Sequence, residues 1–432
     1  MGKYVSLNAV HDSAVQDPDR KCHPETRRNV LKQIRDWIDN PDGSESIFWL
    51  HGLAGAGKSA IAQTIARSYS RQKVAATFFF YKSDPSRNNG NRLFTTIAWQ
   101  LALLIPAVKN HIINALNERS DLPMKDVETQ FQELIVKPLQ ALTEASSQTQ
   151  LSPLVVIIDG VDECVDEKLQ QRFLKVIGNA VNDCNFPLRF LICSRPEANI
   201  EDAIDRFECP PLCLDLAKLD DENRGMRDIE KYIRAEFSRI ASEQDLDPAW
   251  PGDERILKVV YKSSGHFVYA STVIKIIDDK HNSATTQLDI VLGLKPHGAK
   301  SPFAELDSLY MDILKRQRDW DFLNDVLSIL IANHLSRATH CAILMNIPAK
   351  ELCRKLRGIR SLLQLDPSIR SHQSFWDFLE DSSRSGQYHI SKPTAEKRYF
   401  ALLTVSIIRR VPIVLEQPDW CAYSIKLRMN YL

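Results

Sequence analysis

Apolar positions along the chain recur with two periods. In residues 28–38, Val30, Leu31, Ile34, Trp37 and Ile38 fall three or four apart, the spacing of one helical face, and Asn40-Pro41-Asp42-Gly43 is the turn that closes it. The short apolar run Ile47-Phe48-Trp49-Leu50-His51 leads into glycines, and residues 59–70 are helix-like without a breaker, so strand, Gly-rich loop and helix follow in order. Residues 74–81 (VAATFFFY) are aromatic and β-branched and predict a second strand, after which residues 92–105 return to helical spacing. The runs 154–158 (LVVII) and 188–193 (LRFLIC) have the length and apolarity of strands buried in a parallel sheet. This alternation predicts an α/β sheet. From residue 215 onward the strand signals fade, and residues 228–240, 253–261, 267–277 and 306–314 carry helical patterns. The loop-rich stretch 292–302 predicts a boundary, and the part beyond it has short helical patterns ending in the Ser-rich turn 381–386. No internal repeat of solenoid or propeller period is visible.

Composition narrows the class. The chain has 432 residues, 44% hydrophobic and 25% charged, which fits a folded protein of several domains and excludes wholesale disorder. Lys plus Arg and Asp plus Glu are 55 each, so no net field draws in nucleic acid, and a dedicated DNA binder is not expected. The nine cysteines are odd in number and lack CxxC spacing, as expected of reduced thiols in a cytoplasmic protein rather than a disulfide or zinc framework. No signal peptide or membrane-spanning run is present, so stable membrane insertion is not expected. Gly2 and Ser6 complete a literal myristoylation pattern, but the motif is short and one lipid anchors weakly.

The chemistry concentrates in the strand-to-helix turns. Gly52-Leu53-Ala54-Gly55-Ala56-Gly57-Lys58-Ser59 matches GxxxxGK[ST] between a predicted strand and a predicted helix, with Ala60 extending the site. Glycines let the backbone turn its N–H groups toward phosphate oxygens, and the helix N-terminus adds a favourable dipole. Lys58 is then placed for the β- and γ-phosphates and Ser59 for Mg²⁺. Asp159 ends the run 154–158, where P-loop proteins carry the acid that holds the metal; Asp162 and Glu163 are candidates to orient and deprotonate water, and which of them does so stays open. Ser194 and Arg195 end the next strand, and a cation there can contact the γ-phosphate. The competing readings are a chance Gly-rich turn, a solvated acidic loop and an arginine that merely finishes a strand; the three together favour a nucleotide site.

These motifs resemble the NACHT NTPases of the STAND class, specifically their large fungal branch, in which similar segments are often called nephrocystin-like. The likeness runs through IFWLHGLAGAGKSAIAQTIA, the DGVDE after LVVII, FLICSRPE, TIAWQLA, SPFAELDSLYMDIL and SFWDFL, and Gly160 between the acids is the NACHT form of the motif. The resemblance implies an α/β P-loop NTPase domain, a parallel sheet with flanking helices, followed by a small helical domain and a winged-helix domain. On that basis the expected segments are an entry segment and helix (1–40), the P-loop domain (41–212), the helical domain (213–296), the winged-helix-like domain (297–395) and a C-terminal tail (396–432). It also implies that Cys22-His23-Pro24-Glu25-Thr26-Arg27 lies near adenine and ribose, with helix capping as the alternative use of those residues. In 264–267 the family's Gly-x-Pro turn keeps Gly265 but has Phe267 in place of proline. Within 371–379, His372 corresponds to the histidine that contacts the ADP β-phosphate, while Gln373 replaces the family's aspartate.

The resulting expectation is a slow ATPase that works as a signalling switch on ATP or ADP with Mg²⁺, GTP being left open. The site set is Gly52, Leu53, Ala54, Gly55, Ala56, Gly57, Lys58, Ser59, Ala60 and His372 for the nucleotide, Ser59 and Asp159 for the metal, and Asp162, Glu163 and Arg195 for catalysis. Expected partners are like subunits on activation and an unidentified effector protein, with roles such as fungal self/non-self recognition implied by kinship alone. The alternatives are a mechanical AAA+-like ATPase, a non-hydrolysing scaffold, which would lack Lys58 or Asp159, and, as the poorest fit, a P-loop kinase. About forty residues precede the first strand, so no effector domain is visible, and the tail ends without a repeat; a short protein and a truncated gene model both account for that.

Overall fold

The computed structural model describes residues 2–17, 20–40, 43–70, 72–145, 153–182, 186–216, 224–263, 267–278, 282–293, 303–315, 317, 319–332, 337–359, 362–363, 369, 371 and 373–415. It divides into two compact units, Met1–Lys295 and Pro296–Leu432.

The first unit is built on a five-stranded sheet of β1 (Ile47–His51), β2 (Val74–Phe79), β3 (Leu154–Asp159), β4 (Leu188–Ser194) and β5 (Leu212–Asp215), in the order β2-β3-β4-β1-β5. All pairs are parallel. Side chains of a strand alternate between faces, and both faces here are apolar, which is why these strands read as continuous hydrophobic runs. Phe48, Leu50, Val155, Ile157, Leu191 and Cys193 join one core with helices α1 (Arg28–Asp39) and α2 (Lys58–Tyr69). Ile47, Trp49, Val156, Ile158, Phe190 and Ile192 join the opposite core with α3 (Leu93–Leu104) and the helix Glu167–Ala180. The result is three layers, helix, sheet and helix. The α1 end is fastened by Arg189, which donates to the carbonyls of Trp37, Asn40 and Glu45 and lies 4.4 Å from the Trp37 ring.

Two features escape the apolar pattern. Strand β5 is only LCLD and is partly exposed, so its sequence lacks the run that marks the other four. The free edge of β2 is covered without another strand: Gln100 accepts from Thr77 N–H at 3.0 Å and donates to its carbonyl at 2.9 Å, as a strand backbone would. The entry segment adds His11 N–H to the Thr77 hydroxyl and Ser6 N–H to that of Thr96. An edge covered in this way is closed to pairing with another chain.

After β5 the unit continues as helices Arg224–Glu243, Asp253–Ser263, Phe267–Ile277 and Ala284–Val291. Phe237 meets Trp250 edge-on at 5.4 Å, and Arg239 bridges to Asp278.

The second unit is helical throughout its described residues. Tyr310 in Ala304–Leu314 donates to or accepts from the Ser374 hydroxyl at 2.9 Å and packs edge-on against Phe375 and Phe378 of Gln373–Glu380, uniting two segments that the sequence keeps about sixty residues apart. Arg384 grips Asp307 with two nitrogens in a buried pair beside the Phe303 ring. No strand hairpin of the kind a winged helix uses occurs among the described residues. The segment 396–432, expected as a C-terminal tail of uncertain structure, is helical as far as it is described, within the helix Lys392–Leu415, which Arg398 holds to Asp325. No helix among the described residues is long and apolar enough to cross a membrane.

Candidate functional site

The register brings the strand ends to one sheet edge. Phe79 pairs with Asp159, Asp159 with Cys193, and His51 with both Ser194 and Asp215. In open parallel sheets ligands bind beyond this carboxyl edge, and the loop 52–57 rises from it between β1 and α2.

That loop turns on two glycines in the left-handed region, Gly55 at φ 75° and Gly57 at φ 89°. Gly57 caps α2, so the first N–H groups of the helix, at the loop, have no intrahelical acceptor. Leu53, Ala54 and Ala56 are buried beneath, while Gly57, Lys58, Ser59 and Ala60 stay partly open to solvent. Lys58 donates from Nζ to the carbonyls of Gly52 at 2.8 Å and Leu53 at 2.9 Å, which holds the ammonium across the loop. Burial lowers its pKa, and Asp162 opposes that shift.

Asp159 is buried at the end of β3, and the Ser59 side chain acts on its carboxylate. Burial raises its pKa, while Arg20 and the Ser59 hydroxyl pull it down. The pair joins a hard carboxylate oxygen and a hydroxyl beside a phosphate-type loop, a donor set that suits Mg²⁺ with nucleotide oxygens and water completing the shell. Gly160 follows at φ 70°, and a Cβ there would stand 3.3 Å from the Phe80 carbonyl.

The two remaining acids have different surroundings. Asp162 is engaged at both oxygens: Oδ1 accepts from the Arg195 N–H at 2.8 Å, and Oδ2 lies 3.1 Å from Arg195 Nε. Glu163 accepts the Lys82 N–H through Oε2 at 3.0 Å, and burial, then the charge of Asp162, raises its pKa. Sequence reasoning could not separate these neighbours, because the separation depends on what β4 brings to them.

The entry segment and the helical region both reach the loop. Cys22 N–H donates to Thr64 on α2 at 2.9 Å. Arg27, at φ 54°, donates its backbone N–H to Asp228 at 2.7 Å and its guanidinium to the Ala56 carbonyl at 3.0 Å, with Phe267 at 5.1 Å. Val268 N–H meets the Gly55 carbonyl at 3.3 Å, so close that a Cβ on Gly55 would come within 2.2 Å of the valine side chain. His23, Tyr232 and Phe267 form a chain of ring contacts of 5.7 and 6.0 Å beside these residues. Ser264, Gly265, His266 and His372 lie outside the described residues. Arg20, Arg87 and Asp228 belong to the neighbourhood of the site and were missed, since none sits in a recognisable motif.

Residues 26–195 match the family described as Nephrocystin 3, N-terminal, a span that holds the loop, the three acids and Arg195. No curated protein matches the chain significantly. Among solved structures, the Orc1 protein of Aeropyrum pernix in complex with DNA is similar at 12% identity and a TM-score of 0.35, over 90% of this chain and 96% of that one. Cdc6p of Pyrobaculum aerophilum is similar at 13% identity and a TM-score of 0.34, over 91% and 97%. Likenesses this loose carry no argument about mechanism. They do correct one expectation: the exclusion of nucleic acid as a partner is withdrawn, since the Aeropyrum pernix protein was solved with DNA. Physically, a net charge summed over a whole chain leaves any local basic surface undetermined.

Proposed function

We propose that the chain is a nucleotide-operated switch of NACHT/STAND type that binds ATP or ADP with magnesium, hydrolyses the triphosphate slowly and changes its domain arrangement. The observation that carries the nucleotide part is the cradle itself: Lys58 bridging the Gly52 and Leu53 carbonyls, with Ser59 at the start of α2 acting on the buried Asp159 that ends β3. Ser59 and Asp159 would hold the magnesium ion, which when bound neutralises charge on the β- and γ-phosphate oxygens.

In the hydrolytic step, Glu163 orients a water and takes its proton as the water oxygen bonds to the γ-phosphorus. The bond to the ADP oxygen breaks, leaving ADP and inorganic phosphate. Lys58 stabilises charge on the transferring group, and Arg195 contacts the γ-phosphate from its anchorage on Asp162. The acid whose oxygens are both occupied is thereby a positioning residue, and its neighbour is the base.

The switching part is supported by the contacts that tie the helical region to the phosphate loop, Val268 to Gly55 and Arg27 to both Ala56 and Asp228. A ligand that binds the loop better in one setting of those helices shifts the equilibrium between settings. The helical domain 213–296, the winged-helix-related assignment of 297–395, the β-phosphate role of His372, assembly with like subunits and an effector partner belong to this proposal through the resemblance. The test is to purify the chain, denature it and quantify released nucleotide by ion-pair chromatography beside Lys58→Ala. Near-stoichiometric ADP from the wild type and none from the variant is expected; a variant that still retains nucleotide would overturn the assignment.

A further inference from the structure

The loop after β2 brings a buried cation to the same edge. Asp84 organises it: its side chain accepts from the N–H and hydroxyl of Ser86, and its carbonyl accepts from the N–H groups of Arg87 and Asn88. The turn folds Arg87 back, so that Nε donates to the Phe79 carbonyl at 3.1 Å and the guanidinium lies 5.1 Å from the Tyr81 ring. Phe79 is the register partner of Asp159, and the next residue, Phe80, donates its N–H to the Asp159 carbonyl at 2.9 Å. The same loop supplies the Lys82 N–H that Glu163 accepts, and the Asn88 carbonyl accepts from Val165 just past the acids. Arg87 thus stands one strand away from the metal-site acid, on a loop pinned to the acidic turn.

Arg87 is only 5% exposed, yet one terminal guanidinium nitrogen is buried with no hydrogen-bond partner. It forms no ion pair among the described residues; burial and then the neighbouring Arg20 charge disfavour its cation, and Asp84, Glu163 and Asp159 favour it more weakly. A buried charged donor without an acceptor is costly, and folded proteins keep few of them. Loop packing accounts for Nε and for the ring contact but leaves the unpaired nitrogen without a purpose. An anionic ligand at the sheet edge supplies one.

We propose that Arg87 is a ligand of the terminal phosphate of a bound nucleoside triphosphate, a third cation beside Lys58 and Arg195 supplied from within the same chain. This rests on the nucleotide reading above. Arg87 exchanges no proton in the reaction; it accepts hydrogen bonds from nothing, donates to the γ-phosphate oxygens and stabilises the charge spread over them while water replaces ADP at phosphorus, as arginines supplied in cis do. Its binding energy favours triphosphate over diphosphate, so the nucleotide state becomes legible to the β2 loop and the acids attached to it.

The test compares wild type, Arg87→Gln and Arg87→Lys, titrated with ADP and with the β,γ-imido analogue of ATP in magnesium, alongside single-turnover ATP hydrolysis and thermal melting. In Arg87→Gln the analogue should bind roughly tenfold to a hundredfold more weakly while ADP changes by less than about twofold, and hydrolysis should fall at least about a hundredfold. Arg87→Lys keeps the charge but not the second nitrogen, so it should melt like the wild type and show the same selective loss at smaller size. Equal weakening of both nucleotides, or unchanged affinities and turnover, would overturn the proposal and leave Arg87 a loop-packing residue. Wild-type protein that binds neither nucleotide would instead remove the underlying nucleotide reading, and this one with it.

Discussion

Asp162 and Glu163 are adjacent acids that should fail in different ways when replaced one at a time. Asp162→Asn takes the charge from a pair whose side chains are 3% (Asp162) and 14% (Arg195) exposed, and leaves the guanidinium facing an amide. Removing one partner of a buried pair costs about 3–5 kcal/mol, and the partial exposure of Arg195 argues for the lower end, about 3 kcal/mol. At roughly 2–4 °C per kcal/mol for a domain of this size, the melting temperature should fall by about 6–12 °C. Glu163→Gln keeps the shape and an oxygen to accept the Lys82 N–H, so melting should move by no more than about 2 °C, whereas turnover should drop about 10²–10⁴-fold with loss of the base. The assays are thermal unfolding by circular dichroism and single-turnover hydrolysis on the same preparations. A double-mutant cycle sharpens the first claim: in an Arg195→Gln background the effect of Asp162→Asn should shrink to under about 1 kcal/mol. Full turnover by Glu163→Gln, or equal melting of the two single variants, would refute the division of labour.

Two more predictions concern the loop and the pH response. Gly55 and Gly57 both have left-handed backbone, but only Gly55 faces a neighbour, with a built Cβ 2.2 Å from Val268 and open space around that of Gly57. Gly57→Ala should therefore lose about 1–2 kcal/mol from backbone strain alone, and Gly55→Ala a further 1–3 kcal/mol or so from overpacking, read from urea midpoints; equal losses would show that Val268 does not press on the loop. For pH, the base must be ionised and burial raises the pKa of Glu163 above 4.5, so hydrolysis should rise with pH along a limb centred above the usual glutamate range. Because the folded-state pKa is the higher one, the linked stability is fully present below the unfolded value and declines as pH rises through the folded value. Glu163→Gln, unable to ionise, should lose both the limb and that decline, and a pH–rate profile indistinguishable from wild type would count against the assignment.

Local pattern determined a good deal of this protein. Strands β1 to β4 are continuous apolar runs because both of their faces are buried, and α1, α2 and α3 carry the three-to-four spacing of helices that cover one face, so both are legible without tertiary information. The phosphate loop is legible for the same reason: its glycines, Lys58 and Ser59 are neighbours in sequence because they act through one turn. What only the tertiary structure decided depends on contacts between distant segments. The four residues of β5 are a strand because β1 offers them an edge, and Gln100 closes the other edge from 23 residues away. Asp162 and Glu163 differ because Arg195 at the end of β4 occupies one and not the other. Arg87 carries no motif at all; its chemistry arises where a polar turn folds a guanidinium onto the backbone of β2, beside an acid 72 residues further along the chain. Hydrophobic periodicity is a property of neighbours in sequence, whereas the field and the unpaired donors of a site are set by whichever segments the fold brings together.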